Sequence, residues 1–418
     1  MKQESLIEFL ADFHIHSKYS NATSKFMDLQ SLALWGQLKG IGVMGTGDFT
    51  HPLWQKELKD QLDEVEQGLF ALKPEIAKIV NNQVPQSCKS WQRFLLSGEI
   101  STVFKRNGRC YRTHSILLAP DFATVEKITQ KLSTVGNVIS DGRPILGLDV
   151  IDLLKIVLEV SPDAMLIPAH IWTPWYGLIG SKSGFNSMHE AFGDYIQYIH
   201  AFEKGLSANF EMNARMSELD RFAVLCNSDA HSVQNLGREA NLIRSNLSYQ
   251  GIVQTLRKND SAGMIAGIEM FPELGKYFGD GHRACNVMRT MQEINKDNNL
   301  CGVCGKELTI GVYNRVLNLA DRTQEQAQPY VRKHFRIVPL FDILSHVMQL
   351  PTTSKKLNVM YHQMLSSIGN EFFILLHAPM DQITQASNQK IAQVIFNIRQ
   401  GTLIVHPGYD GIYGSIEF

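Results

Sequence analysis

The sequence predicts an α/β protein whose body is built on parallel strands, either open or closed into a barrel. Three observations carry this. Short apolar runs alternate with helical patterns through residues 1–240. Histidines and carboxylates recur where those apolar runs end, the place where parallel-strand folds collect their chemistry. The composition is ordinary: 44% apolar and 19% charged residues in 418 exclude a collagen, a disordered chain and a disulfide miniprotein. That length suits two or three domains.

Each element follows from local pattern. Residues 9–15, 41–46, 94–98, 115–119, 165–168 and 223–227 read as short buried strands. Residues 29–38, 74–80, 122–132 and 148–160 carry helical spacing, the last ending before Ser161-Pro162. The character changes after about residue 270. Residues 271–310 are rich in Gly, Asn and Cys, and 329–360 hold Arg332, Lys333, Arg336, Lys355 and Lys356 against the single acid Asp342. Residues 401–414 read as a strand followed by the turn Pro407-Gly408-Tyr409-Asp410-Gly411.

Charge and cysteine usage narrow the function classes. Forty Lys+Arg against 41 Asp+Glu leave no global basic field, so nucleic-acid contact requires a local patch. No apolar run approaches the ~18 residues of a membrane span. The N-terminus shows no signal-peptide core, and six cysteines are too few for a disulfide framework, so a cytoplasmic protein without membrane contact is expected. Gly40-Ile-Gly42-Val-Met-Gly45 matches a dinucleotide fingerprint in the wrong context, between a helix and a strand, and there is no phosphate-binding Walker loop. No nucleotide cofactor is expected.

The strand ends carry the chemistry. Asp12-Phe-His14-Ile-His16 closes the first strand, and residues two apart on a strand face one side. Asp48 and His51 follow the second strand, Glu99 the third; His114 opens the next, His170 ends MLIPAH, and Asp229 and His231 end VLCNSDAHS. These nine candidate ligands are imidazole and carboxylate, a set for zinc, manganese, magnesium or iron. Nine exceed the four to six ligands of one ion and suit two or three ions, whose joint action favours in-line attack at phosphorus. A lone histidine near a strand is usually structural, and His189 and His200, outside the pattern, are read so.

DFHIHS, GTGDFTH, the isolated Glu99 and His114, PAH and SDAHS resemble, in order, the motifs of the PHP (polymerase and histidinol phosphatase) domain. The resemblance implies a distorted (β/α)₇ barrel, a metal cluster at the strand C-termini and phosphoester hydrolysis, with Asp229, Glu99 and His170 at the catalytic centre. The family commonly has a His directly after the second-motif Asp; here Phe49 and Thr50 intervene before His51.

A second metal pattern lies downstream: His282-x₂-Cys285-x₁₅-Cys301-x₂-Cys304, two x₂ pairs of soft ligands fit for one structural zinc. Gly302 and Gly305 are expected to allow the knuckle turn. Cys88, Cys110 and Cys226 lack such partners. The barrel motifs together with GRPILGLD, SKSGFNS, GHRAC…CGVCGKELTIGV and PGYDGIYG resemble the endonuclease Q family over nearly the whole chain. That implies a PHP barrel at 1–265, a small inserted or appended zinc-binding module at 266–325 and a C-terminal α+β DNA-binding region at 326–418. It also implies cleavage of DNA 5′ to uracil, hypoxanthine, xanthine or an abasic site.

Several residues are candidates for DNA contact. Trp172, Trp175 and Tyr176 follow His170 and suit base stacking, or equally a hydrophobic lid. Lys182, between Ser181 and Ser183, suits phosphate. Lys105, Arg106 and Arg109 form a basic cluster that is as readily a solvated face. Arg332, Lys333 and Arg336 suit backbone tracking, and Tyr409, Asp410 and Tyr413 a base pocket or a plain turn. Two other classes compete: a phosphatase or phosphodiesterase on a small phosphorylated metabolite, favoured by the near-neutral charge, and a DNA-binding module with a relic metal site. The complete ligand set opposes the second of these; the zinc pattern and basic tail oppose the first.

Overall fold

The computed structural model describes residues 6–289, 293 and 299–417. Its centre is a ring of strands. Ile7–Asp12 runs parallel to Val43–Gly45, which runs parallel to Arg93–Arg106. Arg93–Arg106 turns back at Asn107-Gly108 into Arg109–Ala119, which pairs antiparallel with Met165–Pro168. Ala201–Glu203 and Ala223–Leu225 form a parallel pair. Backbone hydrogen bonds close the ring: the Ile171 N–H donates to the Glu203 carbonyl at 2.9 Å and the His16 N–H to the Ala230 carbonyl at 3.0 Å. The result is a distorted barrel of PHP type within an α/β fold.

The distortion corrects the sequence reading. Residues 94–98 and 115–119, read as short strands of a parallel body, are parts of one long antiparallel hairpin. The polar residues Glu99, Ser101 and Thr102 hid its continuation, although all three are buried in the paired strand. Small apolar side chains fill the barrel: Ala11, Val43, Ile116, Ile167, Ala201 and Ala223 are buried in one cluster. A larger core lies between the sheet and its covering helices.

Helix boundaries follow capping chemistry. Leu29–Lys39 starts at Asp28, whose carboxylate accepts from the Ser31 N–H, and stops at Gly40, whose φ of 92° an L side chain tolerates poorly. The Gly40–Gly45 motif is therefore a helix stop feeding a strand. Phe122–Ser133 and Val150–Val160 start the same way on Asp121 and Asp149.

Beyond the barrel the sheet continues. Ala240–Ser245 pairs antiparallel with Ile7–Asp12 and with Met264–Met270, and Met264–Met270 runs parallel to His334–Ile337. The C-terminal segment then forms the helices Leu340–Met348, Lys355–Ser367, Glu371–Leu376, Met380–Ala386 and Gln389–Gln400. Buried Lys39 and Glu371, 2.8 Å apart, tie this bundle to the barrel helix Leu29–Lys39. Two small hairpins complete the chain, Gly281–His282 with Val287–Met288 and Ile404–His406 with Ser415–Glu417. Among the described residues no helix is long and apolar enough to cross a membrane.

Candidate metal centre

The strand ends converge on one buried cluster. His14, His16 and Asp229 bring ligand atoms within 4.8 Å of one another, and so do Glu99, His114 and His170. Glu99 stands between the two groups. Its Oε1 lies 2.7 Å from His114 Nδ1 and 3.1 Å from His170 Nε2. Its Oε2 lies 3.4 Å from His16 Nε2 and 3.5 Å from His14 Nε2. Asp229 Oδ1 lies 3.1 Å from His16 Nε2 and 3.7 Å from His14 Nε2.

A row of supporting groups orients these ligands. Glu203, at the end of its strand, takes His14 Nδ1 at 2.9 Å, the His170 N–H at 3.0 Å and the Asn227 amide at 2.9 Å. His14 Nε2 is buried and has no hydrogen-bond partner, so its lone pair faces the cluster. Asp48 does the same for His16: Oδ1 holds His16 Nδ1 at 3.1 Å, while Oδ2 accepts from the Ser17 N–H at 2.6 Å and hydroxyl at 2.7 Å. Both oxygens of Asp48 are thus engaged behind His16. Asp48, His170 and Asp229 have φ of 48°, 29° and 46°, strained for non-glycine residues and characteristic of sites whose geometry the fold imposes.

The electrostatics divide the imidazoles: against burial, the neighbouring carboxylates raise His14, His16 and His170 above the usual histidine range. Burial pushes His114 down to about 4, the neutral ligand form. Burial works against ionisation of Glu99 and Asp229, yet the neighbouring imidazoles, with Arg143 beside Glu99, hold both well below the carboxylate range. An orphaned His14 nitrogen, a carboxylate shared by two imidazole groups and wholly N/O donors fit divalent ions.

Two sequence candidates sit at the margin. His231 Nδ1–H donates to the Asp229 carbonyl at 3.0 Å, and its ring lies 4.3 Å from that of His16, at the cleft wall. His51 lies outside both ligand groups: its Nε2 meets the Ile139 carbonyl at 2.8 Å and its ring stacks on Tyr19. The two residues inserted after Asp48 carry it to the start of helix Pro52–Gln61.

The cluster opens into a cleft of about 580 Å³. Arg143, Trp175, Tyr176, Lys276, Tyr277 and Tyr413 are among its walls. Arg143 Nη1 is 3.3 Å from Glu99 Oε2, Trp175 meets Tyr277 edge-on at 5.9 Å, and the Lys276 ammonium sits over the Tyr277 and Tyr413 rings. Glu203, Arg143 and Lys276 escaped the sequence reading as site residues. Only Glu203, a carboxylate at the end of a short apolar run, carried a local signal.

Other candidates lie elsewhere. Trp172 is 1% exposed, and its indole N–H donates to Asn213 at 2.8 Å, so no ring face is offered to a base. Lys182 Nζ faces Glu307 at 3.4 Å. Arg106 is taken by Asp149. Arg332 donates to the Asn259 carbonyl and Arg336 to Glu211, while Lys333 is exposed. None of these three lines the cleft.

The second constellation assembles as well. His282, Cys285, Cys301 and Cys304 bring their ligand atoms within 4.8 Å, the arrangement of a tetrahedral soft-metal site. Backbone N–H groups of Cys304 and Val303 pull the Cys301 thiol down to about 6, toward the ligating thiolate. Of the two glycines expected to make the turn, Gly305 has φ of 69°, whereas Gly302 is not in the left-handed region. The terminal loop docks on this module. Asp410 accepts from the Arg283 N–H at 2.6 Å and Thr309 hydroxyl at 2.7 Å, and the Tyr409 hydroxyl donates to Asn286. Tyr409 and Asp410 are thereby occupied, and Tyr413 alone of that loop's candidates reaches the cleft.

Comparison with known proteins gives the same picture. Residues 339–402 match the MJ0043 C-terminal domain family. The uncharacterized protein MJ0043 of Methanocaldococcus jannaschii is 27% identical over 286 residues, 65% of this chain and 35% of its own length. This chain thus spans about a third of that relative. YqxK of Bacillus subtilis is 29% identical over 73% of each chain. Among solved structures, the lesion-specific endonuclease PfuEndoQ of Pyrococcus furiosus superposes with a TM-score of 0.83 at 28% identity, covering 99% of this chain and 96% of that one. Endonuclease Q in complex with a 27-mer duplex carrying an abasic lesion at its active site superposes at 0.84 with 29% identity, covering 99% and 97%. Over almost its whole length, this chain shares the PHP-domain fold of endonuclease Q.

Proposed function

We propose that this chain is a metal-dependent DNA endonuclease that hydrolyses the phosphodiester 5′ to a deaminated base or an abasic site, in repair of cytoplasmic DNA. The observation that carries the reading is Glu99, buried between two imidazole groups, of which His114 and His170 line an open cleft. A shared carboxylate is what neighbouring divalent ions need and a single structural ion does not.

In this reading His14, His16, Glu99, His114, His170, Asp229 and His231 hold two or three divalent ions, which supply Lewis acidity at the scissile phosphate when bound. Asp48 and Glu203 orient His16 and His14 from behind. Arg143 positions a phosphate oxygen, as a guanidinium at the cleft wall beside Glu99 is placed to do. The aromatic wall of Trp175, Tyr176 and Tyr277 receives an unstacked nucleotide at the lesion. One zinc on His282, Cys285, Cys301 and Cys304 folds the module at 266–325, which anchors the terminal loop that brings Tyr413 to the cleft.

The test is a labelled duplex with one uracil, incubated with wild type and Asp229→Asn in Mg²⁺, Mn²⁺ or Zn²⁺. Wild type should nick only 5′ to uracil. The variant should bind the duplex with near wild-type affinity and nick orders of magnitude more slowly, because the lost carboxylate acts mainly in the transition state. Phosphate release from small esters without nicking would overturn the proposal.

A further inference from the structure

A third grouping of ligand atoms lies away from the cleft. Glu211, Glu269 and His334 come within 4.8 Å of one another from three segments: the short helix Phe210–Asn213, the strand Met264–Met270 and the strand His334–Ile337. None of them lines the cleft.

Glu269 is fully buried. Its cationic neighbours are Arg336 Nε at 3.4 Å, Lys204 Nζ at 3.6 Å and His334 Nε2 at 3.7 Å, and its Oε2 accepts no hydrogen bond. Lys204 has a nearer carboxylate, with Nζ 2.7 and 2.8 Å from the two oxygens of Glu239. Arg336 has one too, Glu211 at 2.6 Å. Three carboxylates therefore share two permanent cations, and Glu269 has the longest contacts of the three: its Oε1 accepts from Arg336 Nε at 3.4 Å and its Oε2 stands 3.6 Å from Lys204 Nζ. A buried carboxylate in that position is costly unless a further cation completes it.

His334 is turned to help supply one. Its Nδ1 lies 2.9 Å from the Arg332 carbonyl, which can only accept, so Nδ1 carries the proton. Nε2 is left facing Glu211 at 3.4 Å and Glu269 at 3.7 Å. A carbonyl-bound Nδ1–H behind an Nε2 aimed at carboxylates is how ligating histidines are oriented. Phe210 stacks on the imidazole at 5.4 Å and 9°, which fixes the plane of the ring.

We infer that Glu211, Glu269 and His334 form a binding site for a divalent cation of the zinc class at the junction of barrel and C-terminal segment. Two carboxylates and one imidazole supply three protein ligands and leave one position for water. Arg336, partly exposed, keeps its bond to Glu211 Oε1, and Glu211 Oε2, which has no partner, is available to the ion. The ion pins the edge strand His334–Ile337 to the barrel sheet. This goes beyond the proposed nuclease reaction and does not rest on it.

The test is anomalous diffraction above and below the zinc edge, from crystals of the full chain reconstituted with zinc and dialysed into zinc-free buffer. A peak between Glu211, Glu269 and His334 is expected. The thiolate module serves as the internal control, and a peak there with none at the junction overturns the inference. In solution, Glu269→Gln reconstituted in the same way should bind one zinc fewer per chain than wild type, and an unchanged count overturns it equally. Should that variant fail to fold, the diffraction experiment on wild type decides.

Discussion

Glu203 Oε2 lies 2.9 Å from His14 Nδ1, and both side chains are buried. This contact fixes which imidazole nitrogen faces the cluster, and the same carboxylate holds the backbone of His170. Replacement by Gln keeps the size and removes the charge. Glu203→Gln should weaken activating Mn²⁺ by roughly 10–100-fold, the usual cost of losing such an orienting partner. Nicking should recover substantially at saturating metal. Metal titration of nicking rate checks this; an unchanged half-saturation point would show that Glu203 only supports the fold.

Cys301→Ser tests the thiolate module. His282 ends a two-residue strand, Cys285 ends a short 3-10 turn and Cys301 and Cys304 flank a turn, so a bound metal would supply much of the local folding energy. The variant should lose one zinc per chain by elemental analysis. It should also raise hydrogen exchange at 281–288 and, through Asp410, at 408–414, while the barrel stays protected.

Lys204 is buried among Glu239 and Glu269. Lys204→Met leaves their charge uncompensated and should cost about 3–5 kcal/mol in urea denaturation. Burial already raises both carboxyls in the wild type, Glu239 to about 7, and loss of the ammonium raises them further, so they take up protons more easily in the folded variant than unfolded. The loss should therefore be smaller at pH 5.5 than at pH 8. A loss independent of pH would mean that packing, not charge, is what Lys204 provides.

Phosphate contact should follow the cleft rather than the count of basic residues. Lys276→Ala, at the cleft rim, should lower the log–log salt slope of duplex binding by roughly 0.9. Arg336→Ala should leave the slope unchanged and lower stability instead, since its guanidinium is engaged by Glu211. Equal slopes for wild type and Lys276→Ala would move the DNA path elsewhere.

The alternating α/β body, the ligand types and the two metal-ligand patterns are legible along the chain. These are local: two residues apart on a strand share a face, and two Cys-or-His x₂ pairs present soft donors whatever surrounds them. The PHP motifs extend that reach because they mark where strands end. Long-range packing sets which carboxylates enter the imidazole cluster and which stand behind it. Asp48 and Glu99 look alike along the chain, yet Asp48 is consumed by Ser17 and His16 while Glu99 stands between four imidazoles. The same holds for basic and aromatic residues. Arg336 and Trp172 read as surface contacts and are engaged by Glu211 and Asn213, while Lys276, unremarkable in sequence, stands at the cleft. A charge or a ring acquires its role from the partner nearest in space, which for Asp48, Trp172 and Arg336 lies 31, 41 and 125 positions away.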